Sequence, residues 1–274
     1  MGGDRGGGDS LFAGSIPEIY DRLLVPLLFE TYATDLAKRV AAAVPRDVLE
    51  TAAGTGALTR ALAAGLPREA RITATDLNAP MLDYAMSRQN DDPRIEWREA
   101  DALALPFESR SFDAVACQFG VMFFPDKVQG FGEAYRVLKP GGRFLFNVWS
   151  GIEENAFAAT ITEALARVFP ADPPMFLART PYGYGEERAI RAGLGAAGFA
   201  DISIEPVEAK SRALSARDAA IAYCHGTPLR NEIESRDASR LEGVTEAVAE
   251  ALARKFGSGP IEGSIRALIV SAAR

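Results

Sequence analysis

The stretch Val48-Leu49-Glu50-Thr51-Ala52-Ala53-Gly54-Thr55-Gly56 has the residue types needed to bring a ligand against bare backbone. An apolar run ends in an acid, and small residues then turn the chain into a helical stretch. Glycine or alanine is required where a ligand approaches the main chain, because larger side chains would stand in the way. The helix that follows aims free amides back at the turn, which suits an anionic or carboxylate-bearing ligand. Such a turn is common in α/β proteins, but three further strand ends join it. Asp76 closes the second apolar run twenty residues beyond Gly56, where a carboxylate can accept both hydroxyls of a ribose. Asp101-Ala102 follow the third run, where an acid can accept the exocyclic amine of adenine. Gln118-Phe119-Gly120 end the fourth, at an edge that open parallel sheets turn toward the same crevice. Each residue has a plainer reading: Asp76 as the N-cap of the next helix, Asp101 as a solvated loop acid, Gln118 as a turn residue. Four consecutive strand ends with suitable groups favour a nucleoside-bearing ligand.

Those strand ends need a parallel sheet behind them. Short apolar runs at Asp47–Thr51, Arg71–Thr75, Ile95–Glu99, Phe112–Phe119 and Arg143–Trp149 alternate with helical stretches at Ala57–Ala64, Pro80–Gln89 and Val128–Leu138. The last of these stops at Lys139-Pro140-Gly141-Gly142. Near-continuous apolar strands between helices of about ten residues predict βαβ units, with a sheet covered on both faces. Before them, residues 16–43 have helical spacing that Pro26 splits or kinks. After Trp149 the rhythm changes. Helices are predicted at Ala156–Phe169, Glu186–Ala197 and through 215–256, and strands at Asp201–Val207 and Ser264–Ala272.

As a set, VLETAAGTG (48–56), ITATDLNAPML (72–82), EADALALPFESRSFDAV (99–115) and EAYRVLKPGGRFLF (133–146) resemble the class I S-adenosylmethionine-dependent methyltransferases. The likeness is greatest to the group of the ubiquinone/menaquinone-biosynthesis methyltransferases, and it covers residues 45–150. It implies an α/β Rossmann-like fold: a seven-stranded, mostly parallel sheet with helices on both faces. The last strand would run antiparallel between strands five and six, and helical insertions would form a lid. It implies S-adenosyl-L-methionine as cofactor and S-adenosyl-L-homocysteine as product. Glu50, Ala52 and Gly54, with Gly56 completing the turn, would lie near the methionine half. Asp76 would hold the ribose, Asp101 and Ala102 the adenine, Leu77 and Met81 the side of the adenosine, and Gln118 would sit near the sulfonium. The segment SIPEIYDRLLVPLLF (15–29) resembles a lid that places Tyr20, and with it Phe12, over the cofactor. One departure is that Ala52 stands where the family's turn has its first glycine; Glu50 replaces the commoner aspartate.

Composition bounds the partners. The chain has 274 residues, net charge −7 and pI about 5.0. Without a block of basic residues it argues against nucleic acid. No apolar run approaches the ~20 residues that span a bilayer, and MGGDRGGGDS (1–10) reads as a flexible tail, which leaves 11–274 as one methyltransferase domain with lid insertions at about 151–181 and 209–260. Two separated cysteines, Cys117 and Cys224, point to free thiols in a reducing, cytoplasmic setting, with Cys117 a core residue. One histidine and no CxxC pair give no metal site. That histidine, His225, is the candidate base, though a lone histidine is more often structural. Phe119, Met122, Phe123 and Phe124 are candidates for an acceptor pocket or for core, and Pro173-Pro174-Met175-Phe176 for its apolar roof. The expected activity is methyl transfer to a fairly hydrophobic small-molecule acceptor, by a monomer or homodimer. The alternatives are a non-catalytic S-adenosylmethionine-binding protein and a nicotinamide-dependent oxidoreductase. The latter needs Gly or Ala where Thr59 stands.

Overall fold

The computed structural model describes Phe12 and residues 14–274; the predicted tail, 1–10, lies outside the described residues. Seven strands form one sheet: β1 (Asp47–Glu50), β2 (Arg71–Asp76), β3 (Ile95–Glu99), β4 (Phe112–Gln118), β5 (Leu138–Trp149), β6 (Ala200–Ala213) and β7 (Ile261–Ala273), in the order β3-β2-β1-β4-β5-β7-β6. The first five pair in parallel, and β7 runs antiparallel to both neighbours. This is the predicted Rossmann-like architecture. The central strands owe their place to composition: Val48, Leu49, Val115, Phe146 and Val148 have no accessible surface, as strands covered on both faces require. At the edges, β3 carries Glu96, Arg98 and Glu99 and is largely open to solvent.

Helices α1 (Ile16–Ile19) and α2 (Glu30–Ala41) flank a wider helical stretch, Tyr20–Phe29. The crossovers supply α3 (Ala57–Gly65), α4 (Ala79–Arg88) and α5 (Lys127–Val137). Beyond β5 come α6 (Ala156–Val168), α7 (Phe176–Arg179) and α8 (Glu187–Ala196). Between β6 and β7 lie α9 (Ala216–His225), α10 (Leu229–Arg236) and α11 (Leu241–Phe256). Helix α2 packs on α3, β4 and β5, while α5 packs on β5 and α8. The cover is made where α9 meets α11 and the stretch Tyr20–Phe29.

Three boundaries differ from the expectations. Pro26 does not split its segment into two helices. Tyr20–Phe29 winds as a π-helix, in which the Glu30 amide reaches five residues back to the Val25 carbonyl. The wider turn accommodates a ring that an α-helix would press against the carbonyl four residues earlier. The Ser211 hydroxyl donates to the Leu27 carbonyl at 2.9 Å from outside the helix. Strand β5 starts at Leu138, before the Pro-Gly breaker, because Lys139–Gly142 form a bulge: Phe112 pairs with Leu138, but Ala114 with Arg143. Strand β6 runs on to Ala213, so residues 209–213 belong to the sheet and not to the insertion predicted at 209–260. Its partner β7 is nearly as long, and antiparallel pairing gave the ladder register out to Ala213 opposite Ile261.

Candidate functional site

The small-residue turn leaves β1 and is held by its neighbours β4 and β2. Thr51 N donates to Ala116 O and Ala53 N to Thr75 O, both at 2.9 Å, so the chain leaving β1 stays tied to its neighbours. It then swings through left-handed conformations at Ala52 (φ +53°), Gly54 (φ +57°) and Gly56 (φ +81°) before α3 begins. Glycine is required at Gly56, whose missing Cβ would stand 3.2 Å from Trp97 and 3.3 Å from Ala85. At Gly120 a Cβ would come within 2.5 Å of the Ala52 Cβ and 2.7 Å of Cys117 Sγ, so the β4 end and the turn touch through bare backbone.

Above this turn, at the carboxyl ends of the parallel strands, opens a cavity of about 720 Å³. It brings together Tyr20, Ala52, Gly54, Asp76, Leu77, Met81, Asp101, Ala102 and Gln118, with Phe12 beside Tyr20. Two predicted residues are not on its wall. Gly56 lies behind the turn and serves conformation and packing against Trp97. Glu50 is buried beneath it, one oxygen accepting from Thr59 Oγ1 at 2.6 Å and the other, Oε1, without a partner among the described residues.

Asp76 does not cap the next helix. Its Oδ2 accepts from Gly54 N at 2.8 Å and its Oδ1 from Asn78 N at 2.8 Å, so the carboxylate is clamped between turn and helix with acceptor capacity left over. Burial raises the pKa of Asp76, and burial with the neighbouring Asp76 charge raises that of Glu50 to about 8. Burial, then Asp76 and Asp21, raise the Tyr20 phenol, so it stays protonated at neutral pH. Asp101 is exposed, and its Oδ1 accepts from Leu103 N at 2.8 Å. The Gln118 amide donates to the Phe29 carbonyl at 2.8 Å, which ties the end of β4 to the N-terminal helix.

A smaller chamber of about 50 Å³ adjoins this cavity and shares Phe12, Tyr20, Phe119, Met122 and Phe123 with it. Its wall is hydrocarbon and aromatic: Leu24, Leu28, Phe29, Trp149, Phe176 and Leu177, with the phenols of Tyr182 and Tyr223. Phe119 stacks on Trp149 at 4.0 Å between centroids, and Tyr20 on Phe29 at 5.1 Å. The Tyr223 hydroxyl is buried with no hydrogen-bond partner among the described residues, a state that costs about 1–3 kcal/mol when nothing satisfies it.

Of the four candidates after β4, Phe119, Met122 and Phe123 border both spaces and Phe124 the larger one. Phe176 reaches the chamber; Pro173, Pro174 and Met175 line neither space. His225 is not placed as a base. It ends α9 with Nε2 2.9 Å from Thr245 Oγ1, lines neither space, and burial lowers its pKa. Sequence reasoning missed Lys127, Asn78 and the two tyrosines. Lys127 reaches back to the Phe124 carbonyl at 2.7 Å and lies 4.9 Å from the Tyr184 ring centre, which pins the Val121–Phe123 turn. Tyr182 and Tyr223 come from regions without a motif, and only the fold brings them together.

This sheet order, with an acid at the end of β2 and a glycine-poor, left-handed turn after β1, defines a nucleoside-binding methyltransferase site. Residues 49–146 match the family description "Methyltransferase domain". The demethylmenaquinone methyltransferase of Thermus thermophilus is 33% identical over 197 residues, covering 66% of this chain and 87% of that protein. The ubiquinone/menaquinone biosynthesis C-methyltransferase UbiE of Bartonella tribocorum is 40% identical over 109 residues, 39% of this chain and 42% of that protein. Among solved structures, phosphoethanolamine N-methyltransferase 2 of Haemonchus contortus, in complex with S-adenosyl-L-methionine, superposes with TM-score 0.58 at 18% identity, covering 94% of this chain and 56% of that one. The YcgJ protein of Bacillus subtilis gives TM-score 0.57 at 17% identity, covering 89% and 98%. At those identities the structures share the fold. The chain belongs to the class I S-adenosylmethionine-dependent methyltransferases, in the group of the ubiquinone/menaquinone-biosynthesis enzymes. S-adenosylmethionine is its methyl donor. The site fits that group: Asp76 retains acceptor capacity and the bare turn admits close approach.

Proposed function

We propose that the enzyme methylates a small, apolar, ring-bearing acceptor that lies across the mouth of the aromatic chamber behind Tyr20, whose volume of about 50 Å³ takes only an edge of the ring or its substituent. The observation that carries this reading is the junction of two unlike spaces. One is a polar crevice over the strand ends, the other a hydrocarbon chamber, and Tyr20, Phe119 and Phe123 border both. Asp76 accepts from the ribose, Asp101 and Ala102 flank the adenine, and Leu77 and Met81 close the adenosine side. Ala52 and Gly54 let the methionine half approach, with Glu50 beneath. When bound, S-adenosylmethionine supplies a methyl group on a sulfonium, an activated leaving group.

The protein's own part is alignment and exclusion of water, a contribution that reaches ~7–11 kcal/mol in well-oriented systems. The phenols around the chamber are held protonated by burial, so the acceptor brings its own nucleophilic atom. The names of the Thermus and Bartonella relatives point to quinone-type rings. Residues 11–274 then act as one unit, covered by 151–181 and the helices beyond Ala213.

Calorimetric titration tests the first half. Micromolar binding of S-adenosylmethionine and S-adenosylhomocysteine, weakened at least tenfold in Asp76→Ala, is expected, with no binding of NADH. Retained affinity in the variant would remove Asp76 from the site. Turnover on a panel of hydroxylated and quinol rings tests the second half, and transfer confined to polar aliphatic acceptors would overturn it.

A further inference from the structure

We propose that the Tyr223 hydroxyl is the polar anchor of the acceptor chamber, hydrogen-bonding a hydroxyl or carbonyl oxygen on an otherwise apolar ring; this rests on reading the chamber as the acceptor pocket. Tyr223 lies on α9, is 2% exposed, and lines the chamber with a hydroxyl that has no partner among the described residues. Buried hydroxyls almost always find a partner, so an orphan on a cavity wall marks the place where one arrives with the ligand.

The neighbouring polar groups do not fill the role. Thr227 Oγ1 donates to the Tyr223 carbonyl at 2.7 Å and accepts from Leu229 N at 3.2 Å, so it is engaged with backbone. Besides Tyr20 at the mouth, the chamber holds the phenol of Tyr182, which lies near enough to Tyr223 for the two hydroxyls to interact but makes no hydrogen bond of normal geometry to it, and whose ring is tilted against Trp149 with centroids 5.7 Å apart. Leu24, Leu28, Phe29, Phe176 and Leu177 on that wall offer no hydrogen bond to an oxygen, and the Trp149 indole N–H can only donate. An oxygen held at Tyr223 leaves the far edge of the ring toward Tyr20 and Phe119, which border the cofactor crevice. Both tyrosines come from the helical cover and not from the sheet, so selection of the acceptor is assigned to the inserted segments.

The test uses the full chain saturated with S-adenosylhomocysteine and a matched pair of probes, 2-naphthol and naphthalene, titrated calorimetrically. Wild type is expected to bind 2-naphthol at least tenfold more tightly than naphthalene. Tyr223→Phe removes only an unpartnered hydroxyl. It should keep S-adenosylhomocysteine affinity within twofold and naphthalene affinity unchanged, while the preference for the naphthol falls below threefold. Tyr182→Phe should reduce the preference part of the way. Equal binding of the two probes by wild type, or an unchanged preference in Tyr223→Phe, would overturn the anchor while leaving the chamber as acceptor site. Failure of both probes to bind a protein that still takes S-adenosylhomocysteine would overturn the apolar-acceptor reading, and the anchor with it.

Discussion

Ala52 carries a methyl group through φ +53°, a region that costs an L-residue roughly 1–2 kcal/mol. Ala52→Gly should therefore stabilise the protein by about 0.5–1 kcal/mol in chemical denaturation, once the extra freedom of glycine in the unfolded chain is deducted. The same methyl abuts Gly120, so Gly120→Ala is expected to cost 2 kcal/mol or more, roughly the scale of overpacking. In an Ala52→Gly background that cost should fall, with a coupling of about 0.5–1 kcal/mol, since Cys117 Sγ still obstructs. Glu50 gives a pH signature. Its folded pKa, about 8, lies above the ordinary 4.5, so the folded state holds a proton that the unfolded chain has released. Stability is fully present below about 4.5 and declines until pH passes 8. Glu50→Gln keeps the neutral form throughout. Its melting curve should match wild type near pH 5 and exceed it by several degrees at pH 8; parallel profiles would contradict a buried protonated Glu50.

The stretch Tyr20–Phe29 meets the rest of the molecule through few but specific ties: Gln118 to the Phe29 carbonyl, Ser211 to the Leu27 carbonyl, and Asp21 to Arg60 at 2.8 Å. Gln118→Ala should cost about 1 kcal/mol of stability. It should also raise hydrogen exchange across residues 16–29 and the KM for S-adenosylmethionine, with kcat less affected. Exchange unchanged there would mean that packing alone holds the helix. The five parallel strands were legible because buried strands read as apolar runs and their crossover helices as periodic ones; Ile95–Glu99 coincides with β3 end to end. Local chemistry did not announce the π-helix, since Pro26 signals a break and not a widened turn. Nor did it announce the last five residues of β6, which are strand because β7 lies beside them. The wall of the cavity over the strand ends was legible for a related reason. Apart from Phe12 and Tyr20, the residues named for it sit within a few positions of strand ends, whereas Tyr182 and Tyr223 reach the chamber only through tertiary packing.

At the scale of the whole molecule, the cavity over the strand ends is walled by both the sheet and the N-terminal helix, and a ligand present at a hundred times its Kd should stabilise the fold by ~2.7 kcal/mol. For a protein of this size that is roughly 5–10 °C in melting temperature. S-adenosylhomocysteine should give that shift, and Asp76→Ala should lose most of it. Among the described residues no helix is long and apolar enough to cross a membrane. The sheet order carries a consequence for biosynthesis. The strand translated after all the others, β7, lies inside the sheet, hydrogen-bonded to β5 on one side and β6 on the other. Until residues 261–273 emerge from the ribosome, β5 and β6 each keep a bare hydrogen-bonding edge, the kind that invites pairing with another chain. A nascent chain halted before Ile261 should therefore be a client for chaperones and prone to aggregate, while the crevice over the strand ends, whose described lining residues all precede Ile261, is already encoded in what has been made.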